Sequence, residues 1–493
     1  MSEKPNVLIL HADQHRWDCV GAYGNADVRT PNIDALAADG VRYDESFCAF
    51  PVCTPSRYSL LTGLYVRQHL GGTNHCTLPA GLATFPRVLR EAGYRTAAVG
   101  KMHFTPTYLD VGFDEMHLAE QDGPGRHDDD YHRWLAAEGL CDRIDLMDQV
   151  REYRDEAPDV YWQTFGALRS DLDEAHHSTT WIGDRAVEAV ESWRGGGNLL
   201  MAGFVKPHHP FDPPAPWDAM YDPAALTPLP GWTSEAMPRD LAFRKGYLPY
   251  ETMSEPLLRR VMAYYYAAIS QIDHHVGRIV ERLKARGLYD DTLIVYTSDH
   301  GEYMGFHHLV LKGNYMYDPL VRVPLIVKYP GGAHAGEVAG GLVNNIDVAP
   351  TILARAGCDV PKSMCGFDLS DPACPGREMI FCEGWAGSQY MVRTAARKLI
   401  LTRDDARGLF FDLTADPLEM DNLYGDPSRR AEIAELRDAL LRWALFDAPY
   451  QSHLDYDAPV CPAANVPPAD DGHKAASIDY FRRRMSEDFE LSP

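Results

Sequence analysis

Two stretches decide the fold: Asn6-Val7-Leu8-Ile9-Leu10-His11-Ala12-Asp13-Gln14 near the start, and Thr292-Leu293-Ile294-Val295-Tyr296-Thr297-Ser298-Asp299-His300 far along the chain. Each is a short, mostly apolar run that stops on an acidic residue. Runs of this length read as strands buried on both faces. Working outward, 85–92 reads as a helix with Gly93 as its stop, and 94–99 as a strand that runs into Gly100-Lys101. A further strand is expected over 199–205, and a long amphipathic helix over 256–286 with Gly287 behind it. Strands alternating with helices in this way specify a mostly parallel sheet with helices on both faces. Asp13, Lys101 and Asp299 all stand just past the carboxyl ends of expected strands, the edge at which open α/β sheets bind ligands. Beyond residue 376 the pattern changes to short strand-like runs, 379–382, 390–394 and 398–401, followed by a helix over 429–445. The expected architecture is therefore α/β. A large sheet sandwiched by helices occupies 1–375, a small α+β domain 376–447, and a tail rich in Pro, Asp and Tyr 448–493. The tail is expected to be extended and to pack on a neighbouring subunit, making a homo-oligomeric dimer or tetramer.

The bulk composition is that of a globular protein, with 45% hydrophobic and 24% charged residues. A chain of 493 residues exceeds what one small core organises. The formal net charge of -24 repels a phosphate backbone, so no nucleic-acid partner is expected. Met1-Ser2-Glu3-Lys4-Pro5 leads straight into an apolar run too short for a signal peptide, and no stretch is long enough to span a membrane. The expected location is the cytoplasm, where the 10 scattered cysteines are free thiols.

One of those cysteines stands in Cys53-Thr54-Pro55-Ser56-Arg57. A C-x-P-x-R match arises by chance in a chain of this length with odds of roughly a few per cent at average residue frequencies. The following Ser59-Leu60-Leu61-Thr62-Gly63 makes the pair far more specific. Together they resemble the signature of type I sulfatases, members of the alkaline phosphatase superfamily. The resemblance implies an alkaline phosphatase-like fold and a sulfuric ester hydrolase. It also implies oxidation of Cys53 to formylglycine (3-oxoalanine) by a formylglycine-generating enzyme, and a small-molecule sulfate ester as substrate. Such a hydrolase holds one divalent metal beside the aldehyde hydrate, calcium as first choice and manganese as second. Asp13, Gln14, Asp299 and His300, with the modified Cys53, fall on the metal-binding positions, and their hard oxygens and single imidazole suit such a cation. Many sulfatases carry Asp-Asp and Asp-Asn there. The Asp-Gln and Asp-His pairs of this chain are closer to choline sulfatases and phosphonate monoester hydrolases. Taken alone, Asp13 is as readily a strand-terminating turn residue.

Three further motifs extend the resemblance. In Gly100-Lys101-Met102-His103 it assigns Lys101 to the formylglycine hydroxyl and His103 to its proton, with Arg57 pinning the same group. In Lys206-Pro207-His208-His209-Pro210-Phe211 the family histidine falls on His208, which would contact sulfate and protonate the leaving oxygen, while His209 falls on a variable position. Gly305-Phe306-His307-His308-Leu309-Val310-Leu311-Lys312 matches in part: Lys312 aligns with the lysine that bridges sulfate and leaving group, but Phe306 and Val310 depart from the pattern. His307 is equally well read as catalytic or as packing under the loop. Asn344 to Leu353 resembles a family helix start, and 409–423 the family's C-terminal segment. The resemblance covers about residues 5–425, leaving the tail outside.

Three alternatives stand beside this one. A phosphonate monoester or phosphodiester hydrolase shares the aldehyde and the Asp-Gln/Asp-His pairs but lacks the G-K-x-H motif. A two-metal phosphatase would need a second ligand set, for which the D-x-x-x-H spacing of Asp173 to His177 is the one candidate. If Cys53 stays a thiol, the chain is an anion-binding module. The leaving group, aryl, alkyl, choline or sugar, is open; Trp17, Glu383 and Trp385 are candidates to line its pocket.

Overall fold

The computed structural model describes residues 4–121, 125–244, 246–371, 374–385, 387–449, 471–487, 489 and 491. Its main sheet is built from β1 (Asn6–Ala12), β2 (Val41–Tyr43), β3 (Arg95–Gly100), β4 (Glu115–Leu118), β5 (Asn198–Phe204), β6 (Thr292–Ser298), β7 (Leu325–Lys328) and β8 (Glu337–Ala339). The strand order is β4-β3-β5-β1-β6-β7-β2-β8. Strands β4 to β6 in that order are all parallel, and β7 runs antiparallel to both its neighbours. The apolar runs that read as strands therefore lie at the centre, where both faces are covered and continuous hydrophobicity is required.

Alternation along the strands divides the core in two. Val7, Ile9, Leu199, Met201, Leu293 and Val295 pack against α2 (Cys53–Thr62), α3 (Phe85–Glu91) and α6 (Val348–Arg355) through Leu60, Leu61, Phe85, Leu89 and Ile352. Leu8, Leu10, Leu200, Ala202 and Ile294 face the other way. They meet α1 (Pro31–Ala38), α4 (Ser178–Ser192) and α5 (Glu255–Ala285) through Ile33, Ile182, Ala186, Ile272 and Val276. The period of two along a strand makes this sandwich unavoidable once each run is apolar throughout. The long helix starts where Ser254 accepts a hydrogen bond from the Leu257 amide, with Pro256 in its first turn.

The C-terminal region is a separate antiparallel sheet of β9 (Ile380–Gly384), β10 (Gln389–Arg393), β11 (Arg397–Thr402) and β12 (Leu409–Asp412). Helix α7 (Arg430–Arg442) covers one face with Ile433, Leu436 and Leu440 against Val392, Leu399 and Phe410. The tail departs from expectation. Asp471–Met485 is a helix, α8, rather than extended chain, and it packs on its own chain. Phe481 is buried against Cys141 and Leu146, and the Tyr480 hydroxyl donates to the Leu140 carbonyl at 2.6 Å. The expected stretch between 450 and 470 lies outside the described residues. Among the described residues no helix is long and apolar enough to cross a membrane.

Gly100 and Gly203 face each other at the carboxyl ends of β3 and β5. A Cβ on Gly203 would come within 2.3 Å of the Lys101 carbonyl oxygen. That carbonyl receives Arg57 Nη1 at 2.6 Å, so displacement there reaches the sheet edge. Gly203→Ala is expected to destabilise the protein by about 1–3 kcal/mol in urea unfolding, the usual effect of overpacking. A stability equal to that of the parent would show that the edge relaxes freely.

Candidate active site

Five segments converge at the carboxyl edge of the sheet: β1 ends on Asp13-Gln14, β3 on Gly100-Lys101, β5 leads to His208, β6 delivers Asp299-His300, and α2 begins at Cys53. Cys53 occupies the first helical position, and its cap residue Val52 offers no side-chain bond, so the positive end of the helix dipole meets the Cys53 side chain. Its Sγ lies 3.3 Å from His300 Nε2, 3.3 Å from Lys312 Nζ and 3.7 Å from Asp13 Oδ1. One turn further on, Arg57 is buried between two carboxylates. Nη2 meets Asp13 Oδ2 at 3.0 Å, and Nε meets Asp299 Oδ2 at 3.0 Å. Lys101 Nζ adds a second cation to Asp13 Oδ2 at 2.9 Å.

These contacts set the protonation states. Burial pushes the Asp13 carboxyl up, but Lys101, His208 and Arg57 prevail and hold it well below the usual range. Asp299 goes the other way, raised by burial and by the charge of Asp13. Burial and Asp13 oppose ionisation of Cys53, yet Lys312, Lys101 and His300 hold the thiol well below its ordinary value. His208 Nδ1 donates to the His209 carbonyl at 2.6 Å, which turns Nε2 to Lys312 Nζ at 2.8 Å. Burial and then the Lys312 and Lys101 charges lower its pKa to about 4.

The ligand atoms of Asp13, Cys53, Asp299 and His300 lie within 4.8 Å of one another. His300 Nδ1 bonds to the Gly301 carbonyl, leaving Nε2 toward the cluster. Gln14 is oriented by Glu302, whose carboxylate takes Nε2 and can accept only N–H; Oε1 therefore faces Lys312 Nζ at 2.8 Å. Two carboxylates, one amide oxygen and one imidazole, all buried, are a donor set suited to a hard divalent cation. Among the described residues Asp13, Cys53, Asp299 and His300 are the one cluster of His, Cys, Asp and Glu side chains that could hold a metal ion, and Gln14 adjoins it through Lys312. The D-x-x-x-H pair is not another. Asp173 is exposed and bonds to His176, while His177 caps α4.

Two buried glutamates support the strained loops around the site. Gln14, His103 and Leu311 all have positive φ, 64°, 58° and 65°, a conformation costing non-glycine residues on the order of 1–3 kcal/mol. Glu302 accepts the Leu311 and Met304 amides, and Glu120 accepts those of Met102 and His103. The Thr54 hydroxyl donates to the His103 carbonyl at 2.8 Å, tying that loop to the residue after Cys53. Sequence motifs include Glu302 but give no sign of Glu120, which follows a four-residue strand.

Other expected positions resolve differently. His307 Nε2 bonds to the Leu418 carbonyl at 2.8 Å and its ring stacks on Phe306, so it packs under the loop. His209 turns to Phe165 and Asp148. Trp17 lies under Arg322 and lines a cavity with Arg16, Asp18 and Asn25, apart from the Cys53 cluster. Trp385 packs against Phe50, Val52 and Val66, and a Cβ on Gly313 would lie 3.0 Å from its ring. It thus touches the neighbours of both Cys53 and Lys312. Glu383 is no pocket wall: it is buried and accepts the Arg67 amide at 2.9 Å.

Burial raises Glu383 to about 7, against an ordinary glutamate value of about 4.3. A raised carboxyl favours the folded state fully at pH values below the unfolded pKa, and that contribution is lost as pH rises through about 7. Glu383→Gln removes the titration. In urea unfolding, the parent is expected to lose stability relative to the variant by about 2–3 kcal/mol between pH 5 and pH 8. A difference independent of pH would remove Glu383 as the source.

Comparison with known proteins agrees with this geometry. Residues 5–358 match the family model described as Sulfatase. The chain is 29% identical to an arylsulfatase of Clostridium perfringens over 89% of this chain and 94% of that protein. It is 28% identical to the multifunctional alkaline phosphatase superfamily protein PehA of Trinickia caryophylli, over 90% and 96%. Among solved structures, the phosphonate monoester hydrolase of Agrobacterium radiobacter superposes with a TM-score of 0.74 at 24% identity, covering 89% of this chain and 95% of that one, a likeness of fold. With most of its length inside the family model and a Cys-Arg helix start set among strand-end carboxylates, the chain belongs to the sulfatase family and is a sulfuric ester hydrolase.

Proposed function

We propose that this chain hydrolyses a sulfate monoester through Cys53 oxidised to formylglycine, with one divalent cation held by Asp13, Gln14, Asp299 and His300, calcium before manganese. The observation that carries this is the position of Cys53 Sγ, in contact with the imidazole of His300 and the ammonium of Lys312 at once. When bound, the cation supplies Lewis acidity at the sulfate oxygens and lowers the pKa of an adjacent hydroxyl. The hydrated aldehyde offers one hydroxyl to sulfur and a second whose loss of a proton releases sulfate, which serine cannot do.

The remaining work falls to the side chains. Arg57 and Lys101 hold negative charge at residue 53, since both are buried cations already paired to Asp13. His103, on the loop tied to Thr54, manages the proton of the same hydroxyl. Lys312 stands between residue 53 and His208, where it meets the ester oxygen. After burial, His208 owes its low pKa to lysine charge, which an entering sulfate ester offsets. The imidazole, its Nδ1–H retained on the His209 carbonyl, then takes up a proton from solvent at Nε2 and delivers it from that atom to the leaving oxygen.

Arg244 stacks on Trp385 at 4.3 Å, next to Gly313. A cation there supports an uncharged or anionic leaving group over choline. A second activity on phosphonate or phosphodiester esters is supported by the Asp-Gln and Asp-His pairs. Lys101 bound to Asp13 favours sulfate as the main substrate.

Cys53 is fully buried within α2, so the formylglycine-generating enzyme must reach it before the chain folds. Peptide mass spectrometry is expected to show the Cys53 peptide lighter by about 18 Da, thiol having become aldehyde. An unshifted peptide from a host carrying the modifying enzyme would overturn the mechanism. Cys53→Ser is expected to lower kcat for an aryl sulfate by at least about 1000-fold. Chelation followed by calcium or manganese add-back then assigns the metal, and full activity of the chelated protein would exclude the cation's role.

A further inference from the structure

Outside the motifs, one buried amide joins two arms of the site. Gln121 lies three residues beyond β4 and is 1% exposed. Its Oε1 accepts from Lys101 Nζ at 3.1 Å. Its Nε2 donates to Asp145 Oδ1 at 2.6 Å and to the His209 carbonyl at 2.9 Å. A carboxylate and a carbonyl have no proton to give, so the amide has one possible orientation, oxygen toward Lys101. Asp145 is itself fixed by Arg126 and Lys206. The His209 carbonyl is the unusual atom. It receives Gln121, Gln149 Nε2 at 3.0 Å, and the Nδ1–H of His208.

A carbonyl held by two amides is a rigid, polarised acceptor, and it dictates the state of His208. Nδ1 must carry the proton, and Nε2 must present its lone pair to Lys312 and to whatever lies beyond it. Lys101 and His208 arrive from different strands, β3 and β5, and Gln121 spans the gap between them.

We propose that Gln121, assisted by Gln149, is a positioning residue that locks the Nδ1–H tautomer and aim of His208 and couples it to Lys101. The proposal rests on His208 being the group that protonates the leaving oxygen. A misplaced proton donor hurts most where the leaving group is a poor one, since a stable phenolate departs without help. This dependence separates positioning from general loss of structure, which slows all substrates alike.

The test compares 4-nitrophenyl sulfate, phenyl sulfate and an alkyl sulfate on the full-length, metal-loaded enzyme. The variants are Gln121→Met, Gln149→Met and His208→Ala. Gln121→Met keeps the volume and removes both ends of the link. It is expected to lower kcat by about 10- to 100-fold for the alkyl sulfate, clearly less for 4-nitrophenyl sulfate, with KM changed little. Gln149→Met, at a half-buried position, is expected to show the same trend more weakly, and it decides the matter if Gln121→Met does not fold. Equal losses across the three substrates, with His208→Ala still dependent on the leaving group, would overturn the positioning role alone. Equal losses in His208→Ala as well would overturn the proton-donor assignment and the proposal with it.

Discussion

Everything at the sheet edge depends on Arg57 lying buried between Asp13 and Asp299. The two carboxylates come from neighbouring strands, β1 and β6, and without a cation they would face each other in a medium that cannot screen them. Removing one partner from a buried pair typically costs about 3–5 kcal/mol, because an uncompensated charge is left behind. Arg57 answers both carboxylates and the Lys101 carbonyl with separate N–H groups, which a lysine could not do. The spacing of the cysteine motif follows from this. Four residues along a helix make slightly more than one turn, so Cys53 and Arg57 share a face. The same face that anchors the guanidinium to the sheet presents the sulfur to the pocket.

The central sheet was legible because its strands are buried on both faces and end on charged residues. β6 falls on residues 292–298 as read, and the long helix is displaced by a single residue. The edge of the sheet was not legible. β2, β4, β7 and β8 are three or four residues long, and strands so short carry no periodicity. The tail was misread for another reason. Richness in Pro, Asp and Tyr reads as extended chain, whereas α8 is stabilised by tertiary burial of Phe481, which no local pattern reveals.

For the site, the motifs located the groups that converge and missed those that hold them. Cys53, Arg57, Lys101, His208 and Lys312 stand in recognisable spacings. Glu120 and Gln121 stand in an unremarkable loop, and their importance arises only once β4 is laid beside β3. A motif also overstates. His307 and His308 occupy a catalytic-looking run, yet both spend their ring nitrogens largely on backbone carbonyls. Glu383, a candidate for the pocket wall, accepts the Arg67 backbone amide instead.

Charge explains why the pocket suits a sulfate ester on so acidic a protein. Around residue 53, Arg57, Lys101 and Lys312 stand against Asp13 and Asp299, an excess of one positive charge. A bound divalent cation raises that excess to three, enough for a sulfate anion and an ionised nucleophile together. The chain as a whole carries -24. At physiological ionic strength the Debye length is about 8 Å, so an approaching anion feels the acidic exterior only close to it, and the buried cage is hardly screened at all. The depressed pKa of the Cys53 thiol has the same origin. The cage stabilises whatever anion residue 53 carries in the folded chain, a thiolate where the cysteine is unconverted. Capture of the anion is therefore a property of the folded strand ends, set by the buried cations around residue 53.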